Sequence, residues 1–105
     1  MLYIRLCVDK PGNNELRNQL KADHRAYFVP NLEPDAEVKL VQGGPFCVSD
    51  TDDTNLGSFM VIEAPSIDAV MKFHEGDPFT KADLFDKVYI HRWDRHINDG
   101  VVNFR

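Results

Sequence analysis

Apolar and polar positions alternate strictly at the start of the chain. Leu2, Ile4, Leu6 and Val8 fall on one face, and Tyr3, Arg5 and Cys7 on the other. A period of two over this length predicts a half-buried strand over 2–8, central in its sheet. Asp9-Lys10-Pro11-Gly12-Asn13 ends it with turn chemistry. The period then changes: Leu16, Leu20, His24 and Tyr27 recur at spacings of four, four and three, which predicts a helix from about Asn14 to Phe28 that Pro30 cannot continue. Ala36 to Val48 reads as a second strand, interrupted at Gly43-Gly44-Pro45 by a bulge or by a group that approaches the backbone closely. Ser49 to Asn55 reads as a solvated loop, and Leu56 to Ala64 as a third strand antiparallel to the second. Pro65-Ser66 stops that strand and caps a second helix, whose apolar side carries Ile67, Val70, Met71 and His74. A short helical turn around Thr80 to Leu84 leads into a last strand, Phe85 to Trp93, with Val88 and Ile90 opposed to Tyr89, His91 and Trp93.

The order βαββαβ predicts an α+β fold of the ferredoxin-like type, a four-stranded antiparallel sheet with both helices on one face. The other face is left bare. With Tyr3, Tyr89 and Trp93 expected to point outward, a second copy of the same sheet is the natural cover, so a homodimer is expected. Arg5 is placed on that second side, near Arg92 or Tyr89, either to bind an anionic group or, the favoured reading, to line the dimer interface. The tail 94–105, with Asn98-Asp99-Gly100, reads as a loop or an extension clasping the dimer.

At 105 residues the chain suffices for one domain with a core over about 1–93, followed by that extension. The apolar fraction of 43% and charged fraction of 28% are those of an ordinary globular domain. A net charge of −5, with basic residues scattered, argues against a nucleic-acid partner. The opening strand has the wrong length and flanks for a signal peptide and no run is long enough to span a bilayer, so a cytoplasmic, membrane-free protein is expected. Cys7 and Cys47 lack metal or redox spacing and read as buried thiols in a reducing compartment.

Candidate chemistry concentrates in His74-Glu75-Gly76-Asp77-Pro78-Phe79. Gly76 permits a turn, and Pro78 keeps Asp77 out of the helical region, so its carboxylate sits at a rigid corner. Asp77 either N-caps a short helix at Pro78 or works on a ligand. His24 lies near a helix end, where backbone or water can satisfy it, yet beside a carboxylate its imidazole could move a proton near neutral pH. His74 is accounted for by the helix dipole. The carboxylates of Asp50, Asp52 and Asp53 lack the glycine and bidentate glutamate of a calcium loop, and His91, Asp94 and His96 lack a convergent third ligand, so no metal is expected.

In order along the chain, His24-Arg25-Ala26-Tyr27-Phe28, Gly43-Gly44-Pro45, Gly57-Ser58, Glu63-Ala64-Pro65-Ser66-Ile67-Asp68-Ala69-Val70, Gly76-Asp77-Pro78-Phe79 and Val88-Tyr89-Ile90 resemble the YCII-related proteins of the dimeric α+β barrel superfamily. Lys81-Ala82-Asp83-Leu84 and Arg92 depart from that pattern. The resemblance implies that His24 and Asp77 meet in a pocket as a catalytic dyad, with Ser58 beside them; Tyr27, Phe28 and Phe79 flank that dyad as apolar walls of a substrate pocket or as plain core, and Gly44 is a further candidate for substrate binding. It also implies a cofactor-free enzyme that shuttles a proton in an elimination, such as dehydrochlorination, or in an isomerisation of a small cyclic or aromatic-derived metabolite. The alternatives are a non-catalytic ligand-binding or accessory module using the same pocket, and an oligomer-forming structural domain.

Overall fold

A computed structural model describes residues 1–104. The elements follow the expected order. Strand β1 spans Leu2–Asp9, helix α1 Asn14–Phe28, β2 Lys39–Ser49, β3 Asp52–Glu63, helix α2 Ile67–Gly76, the one-turn helix α3 Pro78–Lys81, and β4 Phe85–Arg92. The four long strands form one antiparallel sheet in the order β2-β3-β1-β4. This is the ferredoxin-like α+β arrangement, with the two long helices on one face of the sheet.

Two expectations about the strands are corrected. The alternation in β1 is as read, but Tyr3, Arg5 and Cys7 are the side under the helices, and all three are buried. Tyr3 packs with Met60, Ile62, Ala64, Val70 and Phe73, while Cys7 packs with Phe79, Leu84 and Phe85. Arg5, between them on β1, puts a polar layer between the two apolar clusters. It is tolerated there because acceptors from α2 and the α2–α3 corner meet its guanidinium, and because its Cζ lies over the rings of Phe73 and Phe85 at 5.7 and 5.6 Å. Leu2, Ile4, Leu6 and Val8 therefore line the open face, in register with Phe59, Val61 and Tyr89.

The solvated loop expected at 49–55 is also shorter than its composition suggests. Only Asp50 and Thr51 separate β2 from β3, whose ladder runs out to Ser49 opposite Asp52 through several register shifts. Local turn preference at Asp52, Asp53 and Asn55 yields here to backbone pairing with β2.

Local chemistry fixes the second half of the chain. Ser66 Oγ accepts from Ala69 N at 3.2 Å and caps α2. Gly76 is needed for a reason other than the expected turn: it is not among the positive-φ residues. A methyl at Gly76 would run into the Tyr27 hydroxyl, which donates to Phe73 O at 3.0 Å. In the tail, Ile97–Asn98 (β5) pairs with Val101–Val102 (β6) across Asp99 and Gly100, both at positive φ, the geometry of a tight hairpin. Arg105, the end of the expected extension, lies outside the described residues. Cys47, expected to be buried, is exposed; burial pushes the Cys7 thiol up to about 11, so it stays protonated. No helix among the described residues is long and apolar enough to cross a membrane.

Candidate active site

The site grows from the corner between α2 and α3. Pro78 occupies the first turn of α3 and Asp77 stands before it in an extended conformation. Asp77 is wholly buried, and its carboxylate accepts three hydrogen bonds. Phe79 N donates to Oδ1 at 3.0 Å, His24 Nδ1 lies 2.7 Å from Oδ1, and Arg5 Nη2 donates to Oδ2 at 2.7 Å. Burial alone would raise the carboxyl. The hydrogen bond with His24 and the charge of Arg5 outweigh it and hold Asp77 below the usual carboxylate range.

That ionised state fixes the imidazole. A carboxylate only accepts, so the His24 proton must sit on Nδ1 and the neutral ring presents Nε2 as a bare acceptor. The ring is clamped between Phe79, stacked at 3.7 Å and 11°, and Phe28, edge-on at 4.1 Å and 66°. Nε2 has no partner among the described residues, and every buried side-chain nitrogen or oxygen described here has one. Nε2 is therefore open to solvent, and the space it opens into is a cleft of about 760 Å³ between α1 and the β2–β3 hairpin. That volume suits a small organic ligand.

A second layer supports the first. Arg5 Nε donates to His74 Nδ1 at 3.1 Å, and Arg5 Nη1 points to Met60 Sδ at 3.5 Å. His74 is not the dipole-stabilised cation expected from its position. Burial first, and then the Arg5 charge, depress it to about 4, so it is neutral and accepts. Its folded value lies below the unfolded value of 6.5, so between those two pH values the unfolded chain binds a proton that the folded chain refuses. Stability should thus be complete above 6.5 and fall as pH drops toward 4, by up to about 3 kcal/mol from this group. Urea unfolding across that range checks it: His74→Asn, which keeps an acceptor for Arg5, should flatten the slope relative to wild type. An unchanged slope refutes the assignment.

Of the residues singled out from sequence, six gather here. His24, Phe28, Ser58, Phe79 and Gly44 line the cleft, and Asp77 lies behind His24. Tyr27 does not. Its ring stacks on Phe73 at 5.4 Å and borders a shallow depression with Gly76 and Pro78 instead. Arg17 was missed, while Arg5 and His74 were given other roles, Arg5 at the dimer interface and His74 by the helix dipole. Arg17 had a signal: it precedes His24 by seven residues, two helical turns, and so shares its face of α1. Arg17 Nε and Nη2 grip Asp9 at 2.6 and 3.0 Å, and Nη2 also donates to Ser58 Oγ at 2.7 Å. Among the described residues no His, Cys, Asp or Glu group could hold a metal ion.

A split βαββαβ sheet, with a buried carboxylate steering an imidazole into a cleft, places the chain among small α+β domains with a preformed pocket. The model of the YCII-related domain matches residues 1–94, and the chain belongs to that family. Among solved structures, it is similar to 5-chloro-2-hydroxyhydroquinone dehydrochlorinase (TftG) from Burkholderia phenoliruptrix AC1100, in complex with 2,5-dihydroxybenzoquinone. The identity is 39%, 90% of this chain and 94% of that chain are covered, and the TM-score is 0.76. PA3566 from Pseudomonas aeruginosa shares the fold at 19% identity, with 90% and 91% covered and a TM-score of 0.50. No curated protein matches the chain.

Proposed function

We propose that this protein is a small-molecule enzyme in which His24, oriented by Asp77, acts as a general base in eliminating hydrogen chloride from a chlorinated hydroxyhydroquinone or a close relative. The observation that carries this reading is the His24 ring, tied to Asp77 at Nδ1 and open to the cleft at Nε2. In the step proposed, Nε2 takes a proton from the substrate. The substrate reacts as its keto tautomer, in which the chlorine-bearing carbon is tetrahedral: the pair of the O–H bond becomes a new C=O, a ring π bond shifts toward that carbon, and chloride departs with the pair of the C–Cl bond to leave a hydroxyquinone. His24 then returns the proton to solvent. No electron acceptor is needed, because hydrogen chloride is lost without net redox change. The similarity to the Burkholderia dehydrochlorinase supports the substrate class.

The test is chloride release from 5-chloro-2-hydroxyhydroquinone. Wild type should release one chloride per substrate, and His24→Ala should fall to background. Full activity in His24→Ala discards the proton-transfer role. A protein that binds the quinol without releasing chloride is the binding module instead.

The same reading includes a homodimer through the open sheet face. Phe59 and Tyr89 stand there 39% and 44% exposed beside the β1 row of Leu2, Ile4 and Leu6, an apolar surface that a second copy would cover. Sedimentation equilibrium should return twice the 12.0 kDa chain mass. A monomer at micromolar concentration would sink the idea.

A further inference from the structure

The cleft is larger than the ring proposed to react in it. At the ~30 Å³ that a water takes in the liquid, the non-hydrogen atoms of a chlorinated hydroxyquinol need about 300 Å³. The cleft measures about 760 Å³, so more than half of it is left over. His24 divides that space into unlike halves. Toward the start of α1, where Arg17 meets Ser58, Asn14, Asn18 and Asp53 border it. Toward the end of α1 stand Phe28, and Leu32 in the helical turn Val29–Leu32 that follows, across from Leu40 and Val41 of β2 and Met60 of β3. Arg25 and Gln42 border this end as well.

The apolar end is a trough with fixed walls and a bare rim. Phe28 and Leu40 pack on the cluster of Tyr3, Ile62 and Phe73 and also line the cleft, and Met60, beside Arg5 Nη1, is buried. Leu32 and Val41 are instead 58% and 40% exposed. Apolar groups that meet water along a concave wall hold burial free energy that the apolar part of a ligand can release. Gly43 keeps the trough open. The register sets it opposite Met60, on the helix side of the sheet, and a Cβ there would stand 3.2 Å from Met60 Cγ. Phe28 lies one turn, about 6 Å, beyond His24. A ring with its reacting atoms at Nε2 therefore reaches the trough through a short substituent.

We propose that this trough is a subsite for an apolar substituent, so that the preferred substrate is a chlorinated hydroxyhydroquinone carrying a short alkyl chain or a second ring. This deepens the reading above and rests on it for the reaction, though not for binding. With the substituent seated between Phe28 and Val41, the ring is held at one end and can turn only one edge to His24 Nε2. The trough then orients the ring as well as selecting it.

The probes are 2,5-dihydroxybenzoquinone and its 3-propyl and 3-(2-hydroxyethyl) derivatives, the last two equal in length but different in polarity. Each methylene buried is worth about fourfold in affinity, so wild type should bind the propyl compound at least about tenfold more tightly than the parent. The hydroxyethyl compound should gain no more than about twofold, because burying its hydroxyl offsets the gain. Leu32→Gln with Val41→Gln changes exposed positions, so it should fold, and it should cut the propyl-to-parent ratio at least about threefold. Gly43→Val, which puts a side chain into the trough, should erase the preference; if that variant does not fold, the double variant decides alone. No propyl gain in wild type, a gain that the hydroxyethyl compound matches, no binding of any probe, or an undiminished ratio in the double variant overturns the subsite. Chloride release separates the two claims. If the propyl preference stands while wild type releases no chloride from 5-chloro-2-hydroxyhydroquinone or its propyl derivative, the subsite stands and the reaction falls. If chloride is released but the propyl group brings no gain, the subsite alone falls.

Discussion

Asp77→Ala is expected to lose about 3–5 kcal/mol of folding stability, a large share of the 5–15 kcal/mol available to a domain of this size. Arg5 is wholly buried and always charged, and Asp77 is its counter-ion at 2.7 Å. Removing the carboxylate leaves an uncompensated cation between two apolar clusters, and it also frees Phe79 N, the capped donor of α3. Asp77→Asn should be milder but still costly. Its oxygen can turn to the always-charged Arg5, which leaves the amide NH₂ beside His24 Nδ1 and sets donor against donor at Phe79 N. Urea denaturation measures both, and an Asp77→Ala protein within about 1 kcal/mol of wild type would show that the Arg5 charge is relieved in another way.

The companion variant separates stability from function. Arg5→Met with Asp77→Leu replaces the pair by apolar side chains of similar size, and such exchanges are often neutral or stabilising because two charges no longer need desolvation. The double variant should recover most of what Asp77→Ala loses, yet leave His24 with nothing to hold its Nδ1. A stable protein without turnover would mean that the buried pair serves the chemistry more than the fold.

How much of this was legible in the sequence differs from residue to residue. The bounds of α1 were readable because periodicity and Pro30 are local signals, and Ser66 announced α2 for the same reason. Alternation in β1 revealed two faces, but nothing local says which one the helices cover. An arginine in mid-strand argues for solvent unless its partner is known, and Asp77 lies 72 positions away. The two readings of Asp77 prove compatible in space, since the Oδ1 that caps Phe79 N also meets His24 Nδ1. Tyr27 and Phe28 show how fine the resolution of a helical face must be. Phe28, four residues after His24, contacts its ring, whereas Tyr27, one position earlier, turns to Phe73. Arg17 escaped because the apolar stripe was traced through Leu16 and Leu20, half a face away from the row that meets the cleft.

The largest effect on turnover is expected from breaking the link between Asp77 and His24. A positioned general base is worth about 10²–10⁴ in rate, so His24→Ala should lower kcat for chloride release by that factor. Asp77→Asn should lower it comparably although the imidazole remains. An asparagine can offer its amide N–H to His24 Nδ1, and the ring proton then moves to Nε2, where it faces the cleft as a donor and no longer as a base. The substrate would meet a hydrogen where it needs a lone pair. Because both substitutions disable the same proton acceptor, the double variant should be no slower than the worse single one. Multiplicative losses would mean instead that Asp77 and His24 act on the substrate separately. The shared hydrogen bond at 2.7 Å would then be a structural contact, and His24 would need another source for its orientation.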